Sequence, residues 1–350
     1  MLNNFTKQDT LFCKGIALCL LLFHHLFYLH PEYVFFHKFS YLASTCVAIF
    51  LILSGYGLMT SASSGFSLKG FLTKRFSKLY TTYWLIWLFF VPLGFFIHKF
   101  NLHSIYGTHI IQKLLLNFMG LQIFFNFYGI NATWWFMSLI IALYLLFPLL
   151  KNLVLKFNHY FLIFVFLVTL LFRNVGYNGT TPVSFNFLIL WIFPFVLGMY
   201  CAKNNAFIKT KEVLSTHKLV KFILYLSIML LLVYIKVSAK LIMSIDGLIG
   251  FFVIMTSYEY FSVFSAVKKS MMVIGEHSFN IFLFHTFIYY YYFGHFIYSF
   301  KNPVLIFAVL LSICLTLSIL LNFFKSALSK LITLFYDRIF VDDKREKQNA

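Results

Sequence analysis

Lys14 and His25 stand eleven residues apart in LFCKGIALCLLLFHHLFYL, residues 11–29, a stretch that is otherwise almost wholly apolar. At about 100° per residue, eleven steps make three turns and about 20° more, so the two side chains share one helix face, separated by about 16.5 Å of rise. His24 points elsewhere. Ionisable groups within a membrane span are costly enough to mark function by default. An imidazole can move a proton or carry a transferred group, and an ammonium can hold an anion. By itself the pair names no reaction.

Further residues carry possible chemistry. Lys74, Arg75 and Lys78 fall in SLKGFLTKRFSKLYTTYW, which reads as a membrane-surface helix. Arg75 and Lys78 are three apart, hence neighbours on one face, a spacing that suits a polyphosphate. Binding of anionic membrane lipid accounts for the same cations more simply. In CVAIFLILSGYGLM, Ser54, Gly55 and Gly57 interrupt an apolar run. Small residues there allow close helix packing, or the close approach of a ligand. Trp134 and Trp135 are most simply an interfacial aromatic belt. His285 lies deep in a late apolar stretch, with Glu276 and His277 before it. Asp246 and Glu259 lie within or at the edge of another, each a partner for a histidine or lysine. Asn131-Ala-Thr133 and Asn178-Gly-Thr180 have the form of glycosylation sequons, read here as chance matches.

The elements that position these residues follow from composition. The chain is 61% hydrophobic and only 11% charged, with 49 phenylalanines in 350 residues, far from a soluble domain. Apolar windows of about 20 residues recur between short Lys-rich segments, the pattern of helices crossing about 30 Å of hydrocarbon. The expected fold is all-α, a polytopic membrane bundle of about ten helices. The spans are 11–29, 40–61, 81–98, 133–150, 160–172, 184–202, 220–236, 241–261, 272–292 and 303–324. Residues 110–127 are set aside as interfacial or re-entrant. The first span is retained rather than cleaved, because it lacks a small-residue cleavage site.

With the N-terminus inside, only Lys38, Lys99, Lys113, Arg173, Lys236, Lys240 and Lys301 of the 28 Lys and Arg lie outside. Lys14 is within the first span and the other 20 are cytoplasmic, so both termini are expected in the cytoplasm. Topology therefore explains the net charge of +18 better than nucleic acid does. The five cysteines are scattered without a CxxC pair, which argues for buried thiols and no metal. A membrane domain over 1–335 and a short basic tail over 336–350 are the expected divisions.

Taken in order, several stretches carry a resemblance: Lys14-Gly15-Ile16-Ala17 followed by His25, FLILSG at 50–55 with Tyr56, KRFSKLYTTYW at 74–84, WWFMSLIIALYLLFP at 134–148, FPFVLGMY at 193–200 and IGEHSFNIFLFH at 274–285. Together they resemble the acyltransferase-3 family of integral membrane O-acyltransferases, over about residues 9–320. Two departures stand out: the family's usual Arg-x-x-Arg is here Arg75-Phe-Ser-Lys78, and Thr81 stands near where many relatives have proline. Many relatives also carry an extracytoplasmic hydrolase-like domain, for which this chain leaves no room. The resemblance then implies that transfer is finished within the membrane domain or by a separate transferase.

The resemblance implies a multi-pass bacterial plasma-membrane enzyme that moves an acyl group, acetyl most commonly, from cytoplasmic acyl-CoA to a hydroxyl of a cell-surface glycan such as an exopolysaccharide or capsule, or its lipid-linked precursor. Acetyl-CoA is then a co-substrate and no cofactor is bound permanently; polysaccharide assembly proteins are further expected partners. His25 becomes the general base or transient acyl carrier, and Lys14 helps orient the donor. Arg75, Lys78 and Lys74, with Ser54 and Gly55, are donor-binding candidates. His285, Trp135, Glu259 and Asp246 are further site candidates. The alternatives are a transporter or flippase for a polysaccharide or lipid intermediate, against which the absence of paired half-sequences counts, and a structural subunit of an assembly complex. If Lys78 grips phosphate, Lys78→Arg is expected to preserve or tighten donor binding in an equilibrium assay; a large loss of affinity would remove that assignment.

Overall fold

The computed structural model describes residues 5–63, 65–97, 99–176, 183–239 and 243–340, which form helices and turns with no strand among them. Helix α1 (Lys7–Phe27) starts at a capping box. The Asp9 N–H donates to the Thr6 hydroxyl at 3.2 Å and the Thr6 N–H donates to the Asp9 carboxylate at 3.0 Å, satisfying donors that no preceding turn can reach. Then come α2 (Val34–Ala43), α3 (Cys46–Ser63) and α4 (Leu68–Phe96). Two short helices, α5 (Leu102–Tyr106) and α6 (Ile110–Phe118), precede the long α7 (Trp135–Gly176) and α8 (Val183–Asn204). The chain continues through α9 (Ala206–Glu212), α10 (Lys218–Ser238), α11 (Asp246–Thr256), α12 (Ser265–Glu276), α13 (Ser278–Thr286), α14 (Gly294–Ser299) and α15 (Pro303–Phe340).

This is an all-α polytopic bundle. Seven of its described helices are long and apolar enough to cross a membrane, where ten spans were expected, and three local features account for the difference. The expected spans 133–150 and 160–172 run together as α7, broken at Asn158 (φ 48°) rather than by a loop. Asn204 of α8 donates to the Asn158 side chain at 2.8 Å across that break. The spans expected over 241–261 and 272–292 are each divided into shorter pieces. A π-helical turn at Ser257–Phe261 follows α11, and a second at Phe287–Tyr292 follows α13. Hydropathy does not register such changes of hydrogen-bond pattern. At the C-terminus α15 runs past the boundary expected near 336, to Phe340; residues 341–350 lie outside those described, as does Asn178.

Two helix crossings depend on glycine. A side chain at Gly15 of α1 would collide with the Met271 backbone of α12, and one at Gly275 with the Leu11 backbone of α1. Likewise Gly55 of α3 lies against the Phe195 backbone of α8, and Gly198 against that of Ile52. Gly55 thus brings two backbones together, the usual work of small residues between membrane helices, and lies outside the cavity described below.

Residues 102–134 are neither a span nor a surface loop. Helix α6, at 9 residues, is too short to cross, and its final carbonyls need partners. Helix α4 supplies them: Tyr83 donates to the Asn117 carbonyl at 2.5 Å, Trp84 Nε1 to that of Phe118 at 3.0 Å and Tyr80 to that of Met119 at 2.9 Å. The aromatic set in KLYTTYW therefore satisfies carbonyls at the end of α6 that no following turn can reach. Trp134 is fully buried and donates to the Leu283 carbonyl at 2.8 Å, so it is no part of an interfacial belt. The Asn131 amide is also fully buried, donating to Thr286 at 2.7 Å, which leaves it no access for glycosylation.

Helix α10 is apolar and largely exposed, and is held by an ion pair near each end. Lys221 meets Glu259 at 2.7 Å and Lys236 meets Asp246 at 2.7 Å, with all four side chains buried. Tyr225 also donates to Glu259 at 2.8 Å, and Thr45 to Asp246 at 3.2 Å. The two acids expected to serve a site histidine or lysine are therefore neutralised by structural lysines. Removing one partner of such a pair strands a buried charge, costing about 3–5 kcal/mol, whereas an apolar pair of similar volume is often neutral. Lys236→Met is accordingly expected to lower the unfolding temperature of the detergent-solubilised protein, and Lys236→Met with Asp246→Leu to restore most of it.

Candidate active site

Helices α1, α3, α4, α7 and α13 enclose a cavity of about 540 Å³. Each contributes one face at helical spacing: Thr6, Thr10 and Lys14 from α1 and its cap, Phe50, Ser54, Gly57 and Ser61 from α3, Arg75 and Lys78 from α4, and Phe136, Ile140 and Tyr144 from α7. That register explains why neighbours in sequence part company. Ser54 and Gly57 lie on the cavity wall, and a side chain at Gly57 would meet open space, whereas Gly55, turned about 100° from Ser54, packs on α8. Lys74 likewise is exposed and off the wall that Arg75 and Lys78 line.

Four cations line this cavity: Lys7, Lys14, Arg75 and Lys78. Among the described residues no carboxylate does. The ion pairs among the described residues, His30 with Glu32, Lys221 with Glu259, Lys236 with Asp246 and Lys268 with Asp9, include none of the four. Lys14 is close enough to Arg75 and Lys78 to feel both charges. A concave site with converging, unneutralised cations is built for an anion, and the guanidinium beside ammonium groups fits a polyphosphate. Tyr144 stands beside Arg75 and Ser54, adding a hydroxyl to the same wall.

The deep end of the cavity is aromatic. Phe136 meets Phe282 at 4.8 Å between ring centroids, and Phe50 meets Phe282 at 6.5 Å. Beyond them, His285 lies 6.2 Å from Phe282 and 5.0 Å from His25, again between centroids. Lys14 and His25 are thus joined by α1 as helical geometry requires, with the cationic chamber at one end and a histidine pair at the other. His24 is tied elsewhere: its Nδ1 donates to the Ser40 carbonyl at 2.7 Å.

Trp135 is not part of this arrangement. It stacks on Trp191 at 5.9 Å and touches Phe187 at 5.2 Å. Asp246 and Glu259 stay with their lysines. Sequence reading missed Lys7, Thr10 and Tyr144. Tyr144 falls in the quoted stretch WWFMSLIIALYLLFP, where the period Phe136, Ile140, Tyr144 marks one face. It also missed Lys325, which bonds Thr82 at 2.8 Å and Asn280 at 3.3 Å behind Lys78.

With this geometry in view, the chain was compared with known proteins. The family model described as an acyltransferase domain, acyltransferase-3, matches residues 12–323. The chain belongs to the acyltransferase-3 family. The match runs from Phe12 in α1 to Phe323 in α15 and so takes in His25, His285 and the cavity cations Lys14, Arg75 and Lys78, while the lining residues Phe5, Thr6, Lys7 and Thr10 precede it. Comparison with curated proteins and with solved structures finds no significant match. Family membership makes the protein a membrane acyltransferase, and the carrier and subunit readings give way to it.

Charge-assisted hydrogen bonds contribute about 1.5–3 kcal/mol each, so losing one lowers affinity about tenfold to hundredfold. Arg75→Met and Lys14→Met are each expected to weaken binding of coenzyme A, used as a polyphosphate probe, by that order in calorimetry. Lys74→Met, off the cavity wall, should leave affinity within about twofold.

Proposed function

We propose that the protein transfers an acyl group, acetyl being the expected one, from cytoplasmic acyl-CoA to a hydroxyl of a cell-surface polysaccharide or its lipid-linked precursor. One observation carries the donor assignment: a cavity lined, among the described residues, by four cations and no carboxylate opens at the start of α1, the same helix that bears His25. The described end of α15 shares that face of the bundle. Tyr298, just before α15, bonds the Leu26 carbonyl at the far end of α1, while Lys325 reaches Thr82 near the cations. A common face for both termini agrees with a cytoplasmic donor chamber, because the excess of Lys and Arg marks that face as inside. Anionic lipid and partner proteins for polysaccharide assembly belong to this setting in a bacterial plasma membrane.

In this reading Arg75, Lys78 and Lys7 hold the donor phosphates at the mouth, and Lys14 orients the arm leading inward. His25, neutral at rest, takes the proton from the acceptor hydroxyl as its oxygen attacks the thioester carbonyl carbon. The carbon–sulfur bond breaks, and the imidazolium returns the proton to the departing thiolate, leaving a free thiol, an ester and neutral His25. The rise of about 16.5 Å from Lys14 to His25 suits an extended donor arm.

The test supplies radiolabelled acetyl-CoA to membranes carrying wild type or His25→Ala at matched levels and follows label into the glycan fraction. Loss of the base is expected to lower the rate about 100-fold or more. Equal incorporation would remove the catalytic role of His25. Absence of label from glycan in the wild type, with label retained on the protein, would shift acceptor transfer to a separate transferase.

A further inference from the structure

His25 makes no hydrogen bond among the described residues; the rings near its own are those of His24, His285 and, farther off, Tyr289. An imidazole base works when one nitrogen presents its lone pair to the substrate and the other is held as N–H by an acceptor, since that hydrogen bond sets the tautomer. The question is which neighbour supplies the acceptor.

His285 has the needed electronic state fixed by its own backbone. Its Nδ1 lies 2.9 Å from the Phe282 carbonyl oxygen and 3.0 Å from that of Ile281. Carbonyl oxygens only accept, so Nδ1 carries the hydrogen and the neutral ring keeps its lone pair on Nε2. That Nε2 is buried and has no partner, in a residue with 0% exposure. A buried acceptor left unsatisfied costs free energy and calls for an explanation in another state of the molecule. The ring of His25 is 5.0 Å away between centroids, close enough for rotation of His25 to bring two imidazole nitrogens into hydrogen-bonding distance.

The surroundings hold His285 in place. The Leu283 carbonyl accepts from Trp134 at 2.8 Å and Thr286 accepts from Asn131 at 2.7 Å, bracketing it along α13. Tyr289 stacks on its ring at 6.0 Å. His24 is the competing acceptor, also 5.0 Å from His25, but it is half-buried and its second nitrogen is not an orphaned interior atom.

We propose that His285 is a positioning residue for His25. In the reacting complex its Nε2 accepts a hydrogen bond from the N–H of His25, fixing the tautomer that turns the His25 lone pair toward the acceptor hydroxyl. The inference rests on the reading of His25 as the base.

The test measures kcat and the KM for acetyl-CoA in native membrane vesicles, with coenzyme A binding as the control for folded protein. His285→Phe keeps a ring and removes the acceptor; His285→Gln puts an amide oxygen within reach of the same place. The expected result is a fall in kcat of about 100-fold in His285→Phe, KM within about twofold, and recovery of at least about tenfold in His285→Gln relative to His285→Phe. Full kcat in His285→Phe overturns the inference. So does an equal loss in both variants, which would indicate a requirement for shape, or a loss carried by KM. His25→Ala separates the two levels: if it is active, the base reading fails, and if it is inactive beside an active His285→Phe, only the positioning inference fails.

Discussion

Charge cannot be left alone in hydrocarbon, and that constraint sorts the ionisable residues of this protein into two kinds. Lys221 and Glu259, Lys236 and Asp246, and Lys268 and Asp9 are neutralised in pairs at 2.7–2.8 Å. Lys268 and Asp9 join α12 to α1, 259 residues away, and the other two pairs tie α10 to α11 and the turn after it, so each fixes a piece of the architecture. Among the described residues the cavity cations have no such partner, and they converge from α1 and α4 on one cavity. Paired charges hold the bundle together; the unpaired ones line the cavity.

The same economy governs the backbone. At the end of α6 and along α13, aromatic and amide side chains take up backbone or side-chain groups, and at the Asn158 break Lys203 donates to the Val154 and Leu155 carbonyls. Tyr80, Tyr83 and Trp84 bond the end of α6, and Trp134 bonds Leu283 beside His285. Reciprocal glycine contacts then set α1 directly on α12 and α3 directly on α8. Since α1 carries Lys14 and His25 while α3 carries Ser54, these crossings fix where the cavity walls stand.

Much of this was legible in the sequence because it follows from geometry local to one helix. The shared face of Lys14 and His25 needs only the helical period, and the adjacency of Arg75 and Lys78 needs only a three-residue step. Long-range choices were not legible. Asp246 and Glu259 were open to any basic partner until α10 was placed beside α11. Gly55 and Gly57 look alike until the phase of α3 is known, whereupon one packs and the other faces space. The ten expected spans reduce to seven long helices because Asn158 and two π-helical turns alter hydrogen bonding without altering hydropathy. His25 and His285 meet across 260 residues of chain, and nothing in either local stretch states that distance.

The uncompensated cations also couple chemistry to folding. Four like charges around one volume repel one another, and a polyanion that binds only the assembled cavity relieves that repulsion, adding RT ln(1 + [L]/Kd) to the stability of the native state. On the proposed reading that polyanion is the donor, which would then act as a counter-ion for the fold as well as a substrate. On that reading the chain's resistance to unfolding, and through it its persistence in the membrane, would rise and fall with the supply of the donor.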